Sequence, residues 1–191
     1  HECVDYEYAM EECRNGMQVL IREGSAARNL DAIVSGIVKN DTDTSGFCFC
    51  TDDKHIEDIR REGHINYNIR RSVELGLSPE RAIQIATIQA ARCYGLTHLG
   101  AIAPGCQADL VVLKNLETME VQDVYHKGKI ILKDEKTEIR PCAPELKNTV
   151  HLKDFDKKDL RLPCINKKAH VLQMMEGQIV TKDLYEEVPF S

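Results

Sequence analysis

The alternation of short, wholly apolar segments with helical patterns constrains the fold of this chain more than any other feature. The first lies within residues 17–25, whose apolar core is Met17 with residues 19–21, and the second is residues 47–50, FCFC, which stops abruptly at a polar turn, as a strand buried on both faces does. Helical patterns precede, separate and follow them, at residues 6–15, 25–40 and 55–76. Because such strands are joined by right-handed crossovers, the sequence predicts a parallel α/β sheet, either doubly wound or closed into a barrel.

Glycine, serine and proline mark the predicted helix ends in this half of the chain. Gly16 follows the first helical pattern as a stop signal, and Ser25 is a candidate N-cap for the helix after it. The sequence of residues 55–76 is typical of a charged helix with a glycine interruption. Residues 78–95 predict one strong helix that starts at Ser-Pro-Glu and stops at its final glycine.

The pattern changes after Gly95. Residues 100–113 and 121–132 each combine a glycine-containing turn with a β-branched run, which predicts a small antiparallel β unit. Residues 133–163 are charged, hold three of the six prolines and predict an extended connection. In the tail, apolar residues lie on both sides of a Glu-Gly turn at residues 176–177, which predicts another hairpin.

Composition and charge argue against several functional classes. The 191 residues carry 25 Lys and Arg against 31 Asp and Glu, a net charge of −6, with 5% aromatic residues and no Trp. A surface that neutralises phosphates or stacks bases is not expected, so no nucleic-acid partner is predicted. No apolar run approaches the roughly 18 residues of a membrane span, so no membrane partner is predicted either. A small polar substrate or a protein partner fits better.

Eight cysteines are scattered along the chain with no C-x-x-C pair. No secretory signal precedes them, and several lie in apolar segments, where a thiol packs as a small hydrophobic group. We therefore expect reduced cysteines and a cytoplasmic protein. For Cys48 and Cys50, which alternate with phenylalanines in FCFC, core packing is favoured over metal ligation.

Ionisable side chains follow both predicted strands, at the edge where parallel α/β sheets and barrels bind ligands. The first strand is followed by Arg22, Glu23 and Ser25, and the second by Asp52 and Asp53. Adjacent acids after a buried strand need compensation by a cation, a metal or hydrogen-bond donors. One aspartate could bind a divalent metal while its neighbour accepts a substrate N–H or a proton from water. Spacing alone leaves open the alternative that an aspartate caps the following helix.

His1 and Glu2 lie just before a helix, where another strand would end. On its own this pair is a weak signal, because a terminal histidine can simply be exposed. The charge pair Arg22 and Glu23 can equally belong to a solvated loop.

Several segments together resemble the bacterial adenine deaminases of the amidohydrolase superfamily. His1-Glu2 is similar to the end of that family's D-H-E segment, residues 17–30 to its strand-to-helix stretch, and residues 47–77 to its eighth-strand region. Residues 79–113 are similar to the superfamily's closing helix and its G-x-x-A-D-L-V-V-L entry into a small β-sandwich. The resemblance covers nearly the whole chain, although A-D-L-V-V-L alone marks only the superfamily.

The resemblance implies an α/β fold that is the C-terminal portion of a (β/α)8 metal-dependent hydrolase barrel plus part of a small β-sandwich. Residues 1–98 would be the C-terminal part of the barrel and residues 99–140 a β-sandwich segment. Residues 141–191 would be a linker and the start of a C-terminal β-containing region. Since a full barrel takes about 250 residues, we expect the chain to be part of a larger enzyme.

The activity that the resemblance implies is hydrolytic deamination of adenine to hypoxanthine and ammonia, in purine salvage. The cofactor would be a divalent metal, manganese or iron with zinc as an alternative, in a binuclear centre of the full-length enzyme. His1 and Asp52 would be metal ligands from this chain. A homo-oligomer is a further expectation.

The same resemblance assigns roles to the other residues at the strand ends. Glu2 would protonate the ring nitrogen, and Asp52 would accept the proton of the attacking water. Asp53 would contact the substrate. Further candidates for substrate binding, with less defined roles, are Arg22, Glu23 and Ser25.

One departure from the family separates this chain from a complete enzyme. The H-x-H pair of the family's first strand occurs nowhere in the sequence, and the ligands of its middle strands are absent too. We therefore expect the 191 residues alone to be inactive and poorly metallated. Two alternatives stay open: another amidohydrolase that acts on a cyclic amide, of the dihydroorotase or imidazolone type, and a non-catalytic α/β binding module.

Overall fold

The computed structural model describes residues 1–131, 141–161 and 167–187. Its first half alternates helices and strands before a run of four helices. These elements are α1 (Tyr6–Arg14), β1 (Val19–Arg22), α2 (Leu30–Lys39), β2 (Phe47–Cys50), α3 (Ile56–Glu62), α4 (Ile65–Glu74), α5 (Pro79–Ala86) and α6 (Ile88–Cys93). The predicted order of helix, strand, helix, strand and further helices is confirmed.

Strands β1 and β2 pair in parallel, in a register that sets Val19 opposite Phe47 and Arg22 opposite Cys50. The connection between them runs through α2, so the two strands and this helix form a β-α-β unit. The predicted parallel α/β arrangement is thus confirmed for the described residues. The register also brings the ends of the two strands side by side.

The core lies between these strands and the helices around them. Alternate strand residues such as Ile21 and Phe47 are buried, and they join the apolar face of α2. The fully buried residues of that face are Leu30, Ile33, Val34 and Ile37. Burial of each such side chain contributes roughly 1.5–3 kcal/mol to folding.

Helix α1 packs closely against α2 because Gly36 lacks a side chain. A Cβ at Gly36 would lie 2.1 Å from Cγ of Tyr6, so the aromatic ring occupies that space. The Tyr6 hydroxyl also makes a 2.6 Å hydrogen bond with Oγ1 of Thr42. The small residue therefore allows α1 to pack closely against α2.

The predicted helix over residues 78–95 is two helices in the structure. Ser78 caps α5 as predicted, since its side chain accepts a hydrogen bond from the Arg81 amide. The helix then breaks at Thr87, whose hydroxyl donates to the Ile83 carbonyl at 2.7 Å. A threonine that bonds its own backbone in this way competes with helix propagation, which explains the break.

Three further strands form the predicted antiparallel unit: β3 (Leu110–Leu113), β4 (Val121–His126) and β5 (Lys129–Ile130). The last two strands, β6 (Lys168–Met174) and β7 (Thr181–Glu187), pair with each other around the predicted Glu-Gly turn. Of the predicted extended connection, residues 141–161 are described and hold two short 3-10 helices, Pro144–Leu146 and Lys157–Leu160. Its remaining residues lie outside the described ranges.

The chain divides into two compact units. One comprises residues 1–131 together with 174–181, and the remaining described residues form the other. The turn between β6 and β7 thus belongs to the first unit, with the sheet of β1 and β2. Of the helices described, none is both long and apolar enough to cross a membrane.

Candidate active site

The site is built where β1 and β2 end. Arg22 closes β1 opposite Cys50, and the first residues of the chain run beside the same strand, because the Leu20 amide donates to the His1 carbonyl at 2.7 Å. The Glu2 carboxylate thereby reaches the strand ends, where it accepts one hydrogen bond from Arg22 Nη1 at 2.7 Å and one from the Cys50 thiol at 3.7 Å. Three chain segments therefore meet at one point.

The Arg22 guanidinium is the centre of this arrangement, with only 5% of its side chain exposed. Its Nε and Nη2 atoms both donate to Oδ1 of Asn29, at 3.2 and 3.0 Å. Its Nη1 atom donates to Glu2 and lies 3.7 Å from Oδ2 of Asp52. A buried cation costs several kcal/mol unless it is compensated, and here two carboxylates and one amide oxygen compensate it. The structure thus brings Glu2 and Asp52 to one guanidinium.

Asp52 lies in the turn after β2, where the Lys54 amide donates to the Thr51 carbonyl. Its φ of 43° is in the left-handed region, which aspartate tolerates better than most residues. The N-cap of α3 is His55, and no side chain caps that position. Helix capping by Asp52 or Asp53, the alternative to a functional site, is therefore wrong, and 44% of the Asp52 side chain remains exposed.

Asp53 faces the loop that follows β1. Its Oδ2 atom accepts a hydrogen bond from the Ala26 amide at 2.7 Å. Burial acts to raise the pKa of Asp53, but hydrogen bonds from backbone amides, that of Ala26 first, outweigh it and hold the pKa below its usual value. A Cβ at Gly24 would lie 1.7 Å from Oδ1 of Asp53, so only glycine fits beside it. The contacts of Asp53, predicted to bind substrate, are those of a residue that holds this loop.

Ser25 and Glu23 also hold the loop in place. The Ser25 hydroxyl donates to Asp58 and accepts from the His55 amide, which ties the loop to the start of α3. The prediction that Ser25 caps the next helix is wrong, because α2 begins only at Leu30. Glu23 instead accepts from the Leu30 amide at 3.3 Å, so this buried carboxylate supplies a hydrogen-bond partner at the helix start.

Beyond Glu23 lies a network of charges that the sequence did not single out. Arg28 lies 3.3 Å from Glu23 and 3.1 Å from Glu62, and the Nζ atom of buried Lys54 lies 3.1 Å from Glu62. The same Nζ atom is 4.2 Å from the centre of the Tyr67 ring. Burial raises the pKa of Glu23. For Glu62 burial acts in the same direction, yet hydrogen bonds from Arg28, Arg61 and Lys54 lower its pKa to about 2.

A polar cavity of about 440 Å³ opens beside this network. Its lining consists of charged residues and one tyrosine: Glu23, Arg28, Asp31, Tyr67, Arg70, Arg71 and Glu74. Most of these charges already have partners of opposite sign, for example Arg71 with Asp31 at 2.6 Å. The cavity therefore offers no excess charge to a ligand.

His1, a predicted metal ligand, contacts other residues. Its Nε2 atom lies 3.0 Å from Glu12, its ring packs edge-on against Tyr8, and about half of its side chain is exposed. Within the described ranges, no three His, Cys, Asp or Glu residues lie close enough together to hold a metal ion.

Cys48 of β2 is buried in the core, as the sequence predicted, whereas Cys50 is only partly buried and its thiol faces Glu2. Burial raises the pKa of both Cys48 and Cys50 to about 12. The seven cysteines in the described part of the chain are all free thiols. Cys164 lies outside that part.

Comparisons with known proteins show the family of this chain. Residues 13–131 match the sequence profile of the Amidohydrolase family. The chain is 57% identical over 189 residues to an adenine deaminase from Desulfitobacterium hafniense, which covers 99% of this chain and 33% of that protein. It is 37% identical over 197 residues to an adenine deaminase from Listeria innocua, and this match covers 98% of this chain and 33% of that protein. The chain thus spans about a third of the length of these curated relatives.

A solved structure supports the fold. The β-aspartyl dipeptidase from Fervidobacterium islandicum AW-1 superposes with a TM-score of 0.52 and 21% identity, over 68% of this chain and 36% of that one. At this identity the likeness concerns the α/β fold alone. Because the family profile matches well over half of its residues, this chain belongs to the amidohydrolase family.

Proposed function

We propose that this chain supplies part of the active site of an adenine deaminase, which converts adenine and water to hypoxanthine and ammonia. The observation that carries the proposal is the 57% identity to a curated adenine deaminase over 99% of the chain. The geometry supports it, because two carboxylates of unequal surroundings meet at the ends of adjacent parallel strands. A general acid and a general base are what hydrolytic deamination requires.

Glu2 is the proposed acid and Asp52 the proposed base. Water attacks the ring carbon that bears the amino group while Asp52 takes its proton, and Glu2 protonates the adjacent ring nitrogen. The amino group then takes the proton held by Asp52 and leaves as ammonia, while the hydroxyl proton of the intermediate passes to Glu2, so both carboxyl groups return to their starting states. Arg22 holds Glu2 at 2.7 Å and lies 3.7 Å from Asp52, which keeps the two groups together.

A divalent metal in such a site would lower the pKa of a bound water from about 15.7 towards 7. The described residues do not fit a metal centre by themselves, because His1 is engaged by Glu12 and no cluster of three ligands is present among them. We propose that His1 and Asp52 are ligands that other parts of a longer protein must complement. Manganese or iron, zinc and a binuclear centre belong to the same proposal.

The assignment of residues 1–98 to a barrel, 99–140 to a β-sandwich and 141–191 to a linker and further β region is likewise proposed. So are a cytoplasmic location, a role in purine salvage and a homo-oligomer. Substrate contact by Asp53, Arg22, Glu23 or Ser25 stays a prediction. Their protein contacts support a role in holding the site together.

A hybrid enzyme tests the activity. In it, this chain replaces the matching third of the Desulfitobacterium hafniense adenine deaminase. We expect release of ammonia from adenine, none from cytosine and no hydrolysis of dihydroorotate. Hydrolysis of the cyclic amide would favour the alternative amidohydrolase, and full turnover by an Asp52→Asn hybrid would favour the non-catalytic module. The isolated 191-residue chain, with metal added, is expected to be inactive.

A further inference from the structure

The turn between β6 and β7 contacts the loop that follows Arg22, between β1 and α2. Gly177 accepts a hydrogen bond from the Arg28 amide at 3.0 Å through its carbonyl. Next to it, Oε1 of Gln178 accepts from Nδ2 of Asn29 at 2.8 Å, across 149 residues of sequence. Two adjacent residues of the turn thus bind two adjacent residues of the loop.

The side-chain amides of Gln178 and Asn29 can be oriented in only one way if both are to form these hydrogen bonds. A guanidinium can only donate, so Asn29 must present its oxygen to Arg22, as the two bonds to Oδ1 show. This leaves the NH₂ group of Asn29 to face Gln178, which must then present its own oxygen. Each side-chain amide is therefore oriented by the next.

Because Asn29 and Arg22 are buried, these hydrogen bonds are hard to replace. Asn29 is fully buried and Arg22 is 4% exposed, so neither can exchange a lost partner for bulk water. Without the acceptor on Gln178, the buried NH₂ group of Asn29 lacks a partner, and only the two bonds from Arg22 still orient the amide. Rotation would withdraw the oxygen that holds two of the three donor atoms of Arg22.

We propose that Gln178 positions Arg22 through Asn29, so that the turn between β6 and β7 holds the Glu2 and Asp52 carboxylates in their catalytic arrangement. Gln178 and Asn29 are positioning residues, since neither contacts Glu2 or Asp52 in this chain of bonds. The proposal deepens the proposed function and rests on the roles given there to Glu2 and Asp52.

Substitutions at Gln178 test it in the hybrid enzyme. Gln178→Met keeps the length of the side chain and removes the acceptor, and we expect kcat to fall about 3- to 10-fold, with KM changed less than about twofold. Gln178→Glu keeps an acceptor oxygen and should restore most of kcat. The matched control is Gln173→Met on β6, where the glutamine is exposed, and its kinetics should equal those of the parent.

A double substitution separates positioning from general destabilisation. In an Arg22→Lys background, Gln178→Met should cause little further loss, because its effect passes through the guanidinium. If the two losses multiply, Gln178 acts elsewhere and the proposal is overturned.

A measurement on the 191-residue chain does not depend on activity. Hydrogen exchange of the Arg22 Nε–H, followed by NMR, should be faster in Gln178→Met and unchanged in Gln173→Met. Unchanged exchange, or unchanged kcat in an active hybrid, would overturn the positioning role while adenine deamination stands. If exchange is faster in Gln178→Met but the parent hybrid is inactive, the link from Gln178 to Arg22 is supported and the proposed function is contradicted.

Discussion

Arg22 donates a 2.7 Å hydrogen bond to Glu2 from the same nitrogen that lies 3.7 Å from Asp52, so one buried guanidinium serves both carboxylates. This relationship gives the two acids different surroundings although they share a cation. Glu2 is fixed by a direct bond and by the Cys50 thiol, whereas Asp52 lies in an open turn and is 44% exposed. In the proposed reaction the acid is thus the carboxyl group that is held in place, and the base is the one that is open to water.

The first prediction concerns Arg22. Arg22→Met should lower kcat of the hybrid enzyme about 100-fold, and Arg22→Lys about 10-fold. Lysine keeps the charge but lacks the planar guanidinium that donates to both Asn29 and Glu2. Arg22→Met should also lower the free energy of unfolding by about 1–3 kcal/mol, since buried acceptors lose their donor. Steady-state kinetics and urea unfolding measure both effects. Arg14→Met, at an exposed position of α1, is the control, and an equal loss there would contradict the prediction.

Substitutions at the neighbouring residues Asp52 and Asp53 should differ in effect, the first lowering mainly activity and the second mainly stability. Asp52→Asn should lower kcat about 10²- to 10⁴-fold, as expected for loss of a general base. Its thermal unfolding temperature should fall only slightly, because the Asp52 side chain is partly exposed and caps no helix, and Glu2 and Asn29 still compensate Arg22. Comparable activity of the parent and Asp52→Asn enzymes would rule out the proposed base.

Asp53→Asn should show the opposite behaviour in thermal unfolding. Its carboxylate binds backbone amides of the loop, so its loss should lower the free energy of unfolding by about 1–2 kcal/mol. Gly24→Ala should be at least as destabilising, because its Cβ would meet Oδ1 of Asp53. Gly46→Ala is the matched control, since the contact there is a 3.2 Å approach to the Cys13 sulfur. Equal stability of Gly24→Ala and Gly46→Ala would contradict the role of Asp53 as a loop anchor.

The sequence predicted the elements of this fold better than the details of the site. Apolar runs such as FCFC predict strands from residue type alone. The alternation of these runs with helical patterns predicts the parallel pairing of β1 and β2. The break at Thr87 and the late start of α2 depend on which backbone groups a side chain bonds, and the apolar pattern does not encode that.

The site could be predicted only as a set of strand ends. Arg22, Asp52 and Asp53 follow directly from their positions after buried strands, but the sequence does not tell which acid faces the guanidinium and which the loop amides. Asn29 carried no signal, because an asparagine before a helix is an ordinary cap residue. Its bond to Gln178 spans 149 residues and arises only in the folded chain.

Among the seven cysteines in the described part of the chain, the thiols of β2 should be the slowest to alkylate. Burial raises the pKa of Cys48 and Cys50 to about 12 from an ordinary value of 9.0, which lowers the reactive thiolate fraction about 1000-fold near neutral pH. Cys142 is exposed and should react before both of them. Mass spectrometry of iodoacetamide-treated protein over time measures the order. Early modification of Cys48 would show that β2 is not a buried strand.

Acid should remove the contribution of Glu62 to stability. Its pKa is lowered from 4.5 to about 2 in the folded chain, because bonds from Arg28, Arg61 and Lys54 outweigh the opposing effect of burial. A depressed carboxylate pKa stabilises the fold above pH 4.5, and this stabilisation is lost as the pH falls towards 2. Glu62→Gln should therefore lower the urea midpoint at pH 7, and near pH 2.5 its midpoint should approach that of the parent. Glu57 is exposed on the same helix, so the midpoint of Glu57→Gln should match that of the parent at every pH. A Glu62→Gln deficit that stays constant with pH would show that the carboxylate charge is not its cause.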